Sequence, residues 1–169
     1  TEVAKAIFGA IPVSGGTLSL KGQKGPPASP EAAIRAGMAM ITEDRKGDGL
    51  ALDVSMIDNA SLAAYPRLSR RGVIAGEKRR ALVGDKVHEL DIRPPQMERV
   101  VRQFSGGNQQ KVVIAKWLLV EGTELFIFDE PTRGVDVATK VEIYQMIADL
   151  AAAGTAILLI SSELPEVIG

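Results

Sequence analysis

Short, continuous apolar runs alternate along this chain with stretches of helical periodicity. Met38–Thr42, Leu125–Phe128 and Ala156–Ile160 are apolar runs bounded by turn residues, which predicts strands, the first two of them buried. Thr17–Leu20 predicts a further short strand, between a turn at Pro12–Gly16 and a loop at Gly22–Pro27. Thr1–Phe8 reads as a helix. Ser29-Pro30-Glu31 opens another, with serine as N-cap and proline at the first helical position, and it ends near Gly37. Gln109–Val120 is a mostly apolar helix, and Val137–Ala151 an amphipathic one with Val137, Val141, Tyr144 and Ala148 as its apolar face. From Asp44 to about Arg102 the strands stop and helices take over, at Ser55–Ala64 and at Gly76–Leu90, where Val83, Val87 and Leu90 share a face. Pro94-Pro95 marks an extended connector, and Glu163–Ile168 a final helical start. The order predicts an α/β domain with a largely parallel sheet and an inserted helical block.

Bulk properties fit this pattern. A chain of 169 residues with 46% hydrophobic content is one domain with ample core material. A net charge of −1 gives no reason to invoke nucleic acid. The absence of cysteine fits a reducing compartment. No apolar run approaches the ~20 residues that span a bilayer, so any membrane association would run through a partner.

Two stretches carry chemistry. Leu125-Phe126-Ile127-Phe128 runs straight into Asp129-Glu130, so a buried strand would deliver two carboxylates at its C-terminal end. Phe104-Ser105-Gly106-Gly107-Asn108 places a serine and two glycines just ahead of the Gln109 helix, where free N–H groups and the positive end of the helix dipole suit a phosphate. Each has a plain structural alternative: two acids capping a turn that Pro131 stops, and a Gly-Gly turn before a helix.

As a set, these motifs resemble the ABC-type nucleotide-binding domain of the P-loop NTPase fold. Ser105–Asn108 resembles the signature, Leu125–Asp129 Walker B, Glu130 the catalytic glutamate that follows it, and Gly134-Val135-Asp136 the D-loop. Glu43 stands where the family usually has the Q-loop glutamine, and Ser162 where it usually has the switch histidine. The wording Thr42–Lys46, Gly106–Lys111 and Pro131–Asp136 resembles, more narrowly, the second ATP-binding half of bacterial ribose/galactose/xylose-type importers. No G-x-x-x-x-G-K-[ST] occurs, and Thr1 is expected to be the closing residue of that loop in a longer subunit.

The resemblance implies ATP and Mg²⁺ as ligands. Thr1, Asp129 and Glu43 would approach the metal. Thr1, Ser105, Gly106, Gly107, Asn108, Asp136 and Glu43 would face ATP phosphates, the signature residues reaching a nucleotide held mainly by another domain. Glu130 would be the general base, and Ser162, in the switch histidine's place, the second catalytic residue. Residues 44–105 would form the helical, signature-bearing subdomain that meets a coupling helix, with 1–43 and 106–169 as ATPase core. Implied partners are transmembrane permease subunits, a second nucleotide-binding domain in the same polypeptide and, indirectly, a periplasmic sugar-binding protein, at the cytoplasmic face of the inner membrane.

The departures have consequences. Serine at 162 removes an imidazole, and glutamate at 43 sets a negative charge near phosphates. One impaired and one competent site in the full assembly is therefore expected. Two alternatives stay open: a non-catalytic regulatory half, and an ABC-fold ATPase outside transport. Arg67, Arg70, Arg71, Lys78, Arg79 and Arg80 form a basic cluster that reads as a solvated face. His88 reads as a surface residue, Trp117 as core, and Asp136 also as the N-cap of the Val137 helix.

Overall fold

The computed structural model describes residues 1–13, 15–20, 22–70 and 72–164. In chain order the elements are α1 (Glu2–Ile7), β1 (Ser19–Leu20), β2 (Gln23–Lys24), α2 (Pro30–Arg35), β3 (Met38–Ile41), α3 (Met56–Ser61), α4 (Tyr65–Leu68), β4 (Ser69–Arg70), β5 (Val73–Ile74), α5 (Gly76–Glu89), α6 (Gly106–Leu118), β6 (Leu125–Asp129), α7 (Val137–Ala152) and β7 (Ala156–Ile160). The expected turn at Pro12–Gly16, the cluster member Arg71 and the helical start Glu163–Ile168 fall wholly or partly outside the described residues.

β6 lies between β3 and β7, parallel to both, with Ile127 opposite Met40 on one side and Leu158 on the other. Such a strand has no solvent face, which is why its sequence is an unbroken apolar run. Phe126 and Phe128 are 2% and 0% exposed, and their rings stack at 5.1 Å. Burial of each phenylalanine stabilises the fold by about 2 kcal/mol.

α6 packs against β3 on one side and against α3 and α5 on the other. It is buried nearly all round, so its polar residues need internal partners. Gln109 Nε2 donates to the carbonyls of Val101 and Phe104 at 3.3 and 3.1 Å. Lys111 Nζ donates to the Asp91 carbonyl at 3.2 Å and pairs with Glu142 at 2.7 Å. Lys116 Nζ donates to the Gly49 carbonyl at 2.7 Å. Trp117 is core, edge-on to Phe8 at 5.8 Å.

The helix starts at Ser29 and Ser55 hold, each hydroxyl accepting a first-turn N–H, from Ala32 and Asp58 respectively, at 3.2 Å. Four expectations change. α6 begins at Gly106 rather than Gln109, so the glycines form its first turn instead of a loop ahead of it. The expected loop after Leu20 contains β2, which pairs with β1 as a hairpin. A second hairpin, β4–β5, interrupts the strand-free block; Gly72, at φ +79, supplies the left-handed turn residue between its strands. On α7 the core face is Ile143 and Ile147, whereas Val137 and Val141 are 79% and 62% exposed. Ile143 and Ile147, joined by the partly buried Met146 and Leu150, make the apolar side that packs on the core, and burying that set fixes the helix's rotation. In the basic cluster, Arg67 pairs with Glu121 at 2.6 Å, Arg79 with Asp58 at 2.7 Å, and Arg80 with Glu98. His88 is exposed.

Candidate functional site

β6 carries its apolar run to the edge of the core and ends there on Asp129, which is fully buried. One carboxylate oxygen, Oδ1, accepts from the Thr1 hydroxyl at 3.2 Å. The other, Oδ2, is buried with no hydrogen-bond partner. A buried carboxylate left half-satisfied costs several kcal/mol unless positive charge reaches it, to the order of magnitude expected of unpaired buried ions. The single proton of Thr1 Oγ1 is shared with the nearer Glu43 Oε2, at 2.8 Å, and the Thr1 amino group stands 3.5 Å from Asp129 Oδ1, so Thr1, Glu43 and Asp129 form one cluster. Hard oxygens around a half-satisfied acid fit Mg²⁺. Among the described residues no group of three or more His, Cys, Asp or Glu side chains could hold a metal ion by itself, so water and phosphate oxygens would complete the coordination.

Glu130 follows with a left-handed φ of +49, a strained conformation for a residue with a Cβ. Its N–H donates to the Ile160 carbonyl at 2.9 Å, continuing the parallel pairing one step past β6. Its side chain accepts from the Ser162 hydroxyl at 3.1 Å. The end of the sheet thus turns two consecutive carboxylates to different partners, one toward Thr1 and one toward Ser162.

The signature-like stretch opens α6. Ser105 caps α6, its hydroxyl 3.4 Å from the Asn108 N–H and 2.9 Å from Asn108 Nδ2. Asn108 Oδ1 accepts from the Arg93 N–H at 2.7 Å. The glycines allow close approach, more strictly at Gly107, which meets the short Thr139, than at Gly106, which meets the end of the Arg45 side chain. A Cβ on Gly107 would stand 2.7 Å from Thr139 Oγ1, and one on Gly106 would stand 2.9 Å from Arg45 Nη2. Asp136 caps α7, accepting from the Thr139 N–H at 3.0 Å and the Thr139 hydroxyl at 2.8 Å. Those bonds, the backbone one first, hold its carboxyl below the usual aspartate value.

Hydrogen bonds therefore join Thr1, Glu43 and Asp129 in one group and Glu130 and Ser162 in another. Ser105–Asn108 and Asp136 meet at a third place, where α6 touches the start of α7. Two arginines that the motif reading passed over link these groups. Arg133 forms an ion pair with Glu43. Arg45 Nη1 and Nη2 donate to the Arg133 and Gly134 carbonyls at 2.7 and 3.3 Å, and burial lowers its pKa from the ordinary arginine value. Each arginine lies inside a motif already singled out, Thr42–Lys46 or Pro131–Asp136, so a charge inventory of those motifs was the signal available.

A parallel sheet ending in a buried acid next to a left-handed glutamate, with a serine-capped glycine helix start, defines an ATP-binding cassette. A sequence model described as ABC transporter matches residues 1–133, and the chain belongs to that family. It is similar to the ribose import ATP-binding protein RbsA 1 of Streptomyces avermitilis, 47% identical over 169 residues that cover 100% of this chain and 32% of that protein. It is equally similar to RbsA of Geobacillus kaustophilus, 47% identical over 169 residues, 100% of this chain and 34% of that protein. The chain thus spans about a third of the length of the curated relatives it matches. A solved structure with the same fold is the ATP-binding cassette MJ0796, captured as a dimer in a post-hydrolysis state bound to ADP and Pi. It has a TM-score of 0.81 and 19% identity, and the match covers 98% of this chain and 70% of that one. Among the described residues no helix is long and apolar enough to cross a membrane.

Proposed function

We propose that this chain is part of an ATP-hydrolysing subunit that powers import of a monosaccharide, corresponding to the second nucleotide-binding half of such a subunit. The observation that carries the reading is Asp129, buried with one oxygen on Thr1 and the other free, directly followed by Glu130. Mg²⁺ held by Thr1, Asp129 and Glu43 would neutralise charge on the ATP phosphates. Glu130 would take a proton from the attacking water, and Ser162 would hold its carboxylate in direction by the 3.1 Å hydrogen bond. The N–H groups at the start of α6, brought close by Gly106 and Gly107, would face the phosphates of an ATP held mainly by another domain. Asp136 keeps that helix start and the D-loop in one piece by fixing the first turn of α7.

The helical stretch 44–105 would meet permease subunits at the cytoplasmic face of a membrane, with a periplasmic sugar-binding protein beyond them. An open cleft of about 420 Å³ lies where this stretch begins, lined by Asp48 and Gly49 from it and by Phe8, Ile11, Ile34 and Lys116 from the flanking parts of the chain. It has the mixed apolar and charged lining that receives an amphipathic helix.

The test is calorimetry of ATP·Mg²⁺ on this chain and on a version extended upstream through a phosphate-binding loop, followed by Glu130→Gln in the full-length protein. Binding by the extended chain and a large loss of ATPase in Glu130→Gln are expected. An ATPase unchanged by Glu130→Gln would leave the regulatory half as the better reading. No binding by either chain would refute the nucleotide site.

A further inference from the structure

We propose that Arg133 is a positioning residue that cancels the charge of Glu43, so that a carboxylate can stand beside nucleotide phosphates without repelling them. The inference rests on the nucleotide-binding reading above. Both oxygens of Glu43 are engaged: Oε2 accepts from the Thr1 hydroxyl at 2.8 Å, and Oε1 pairs with the Arg133 guanidinium. The pair joins segments 90 positions apart in the chain. A reciprocal contact returns from the first segment to the second, because Arg45 donates to the carbonyls of Arg133 and Gly134 at 2.7 and 3.3 Å. A planar guanidinium suits two successive carbonyls because its N–H groups are held in a fixed fork. Arg45 also fills the space beside Gly106. The backbone of Arg133 is therefore held from one side while its side chain is presented to Glu43.

A cleft of about 410 Å³ opens here, lined by Glu43, Asp44, Arg45, Lys46, Arg133 and Gly134. Three cations face two carboxylates, so the lining carries one net positive charge. Without Arg133 that excess disappears, and Glu43 stands as an uncompensated anion next to the Thr1–Asp129 cluster. With the Arg133 side chain 66% exposed and Glu43 31% exposed, the pair adds little to folding. Its effect belongs to nucleotide affinity, because charges interact more strongly once a bound ligand displaces water from the cleft.

The experiment is a double-substitution cycle in the full-length protein that carries this chain, with ATP affinity measured by calorimetry with and without Mg²⁺. Arg133→Ser is expected to weaken ATP binding roughly tenfold under both conditions. Glu43→Gln alone removes the anion and leaves Arg133 in place, so it is expected to tighten binding of Mg²⁺-free ATP, whereas with Mg²⁺ it also loses a proposed metal ligand and is expected to weaken binding. In Mg²⁺-free ATP the double variant removes both charges and is expected to recover to within about threefold of the unsubstituted protein, as is Arg133→Lys, which keeps the charge. A double variant as weak as Arg133→Ser in Mg²⁺-free ATP, or an Arg133→Ser variant with unchanged affinity, overturns the inference alone. An unsubstituted protein that binds no ATP overturns it together with the nucleotide-binding reading.

Discussion

Replacing Lys116 with methionine tests how α6 keeps a charge inside the core. Lys116 is 7% exposed; its ammonium donates to the Gly49 carbonyl at 2.7 Å and lies 5.2 Å from the centre of the Trp117 ring. Burial lowers its pKa from 10.5 to about 8. The folded value lies below the unfolded one, so between these two pH values the unfolded chain binds more protons and stability rises with pH. Below pH 8 both states are charged and the whole cost of burial is present. That depression corresponds to roughly 3 kcal/mol between the charged and neutral forms. Between about pH 7.5 and about pH 9.5 the lysine protein should gain about 2 kcal/mol over Lys116→Met. Methionine keeps the stem's packing, and the donor lost from the Gly49 carbonyl is a constant offset at every pH. The assay is urea unfolding of both proteins across this range, in which taking the difference cancels every other titration. Parallel curves would refute the claim that Lys116 is buried as a cation. The result also bears on the site, because Gly49 closes the turn that carries Arg45.

Two further outcomes are expected. Gly107→Ala should destabilise the domain by about 1–3 kcal/mol, because its Cβ would sit 2.7 Å from Thr139 Oγ1 and force α6 away from α7; unchanged thermal unfolding would remove close approach as the reason for this glycine. Ser162→Ala in the full-length protein should lower kcat for ATP hydrolysis by about three- to tenfold with KM within about twofold, since the one hydroxyl donor to the Glu130 carboxylate is lost. A shift in KM with kcat intact would count against an orienting role.

The elements nearest the candidate site were the most legible, for physical reasons. A strand buried on both faces has to be apolar throughout, so β3 and β6 stand out, and the acids at the end of β6 stand out against them; β7 is half-buried yet equally apolar. Ser29, Ser55 and Asp136 announce helix starts because a short polar side chain at that position satisfies an otherwise unpaired N–H. Rotation of a helix was less legible. α7 offers two stripes, Val137–Val141–Tyr144–Ala148 and Ile143–Ile147, and local periodicity does not say which one the sheet covers. The β4–β5 hairpin was hidden because its four residues are short and half polar, with neither a period of two nor an apolar face to display. Lys116 looked like part of an apolar helix, and only the packing of α6 shows that its charge is buried.

Charge compensation between distant segments was the least legible feature, and it changes how the two departures read. Glutamate at 43 and serine at 162 each suggested a weakened site when weighed alone. In the fold, Glu43 has a cation on one oxygen, and Ser162 donates its single proton to Glu130. A histidine there could do more, since its imidazole can carry charge. The serine still supplies the one contact that fixes the carboxylate's direction, and Glu130 already stands in a strained, left-handed backbone position that β7 holds in place. Both substitutions therefore sit within local networks that accommodate them. The kinetic cost should then show mainly at Ser162, where the missing charge has no substitute, and little at Glu43, where Arg133 provides one.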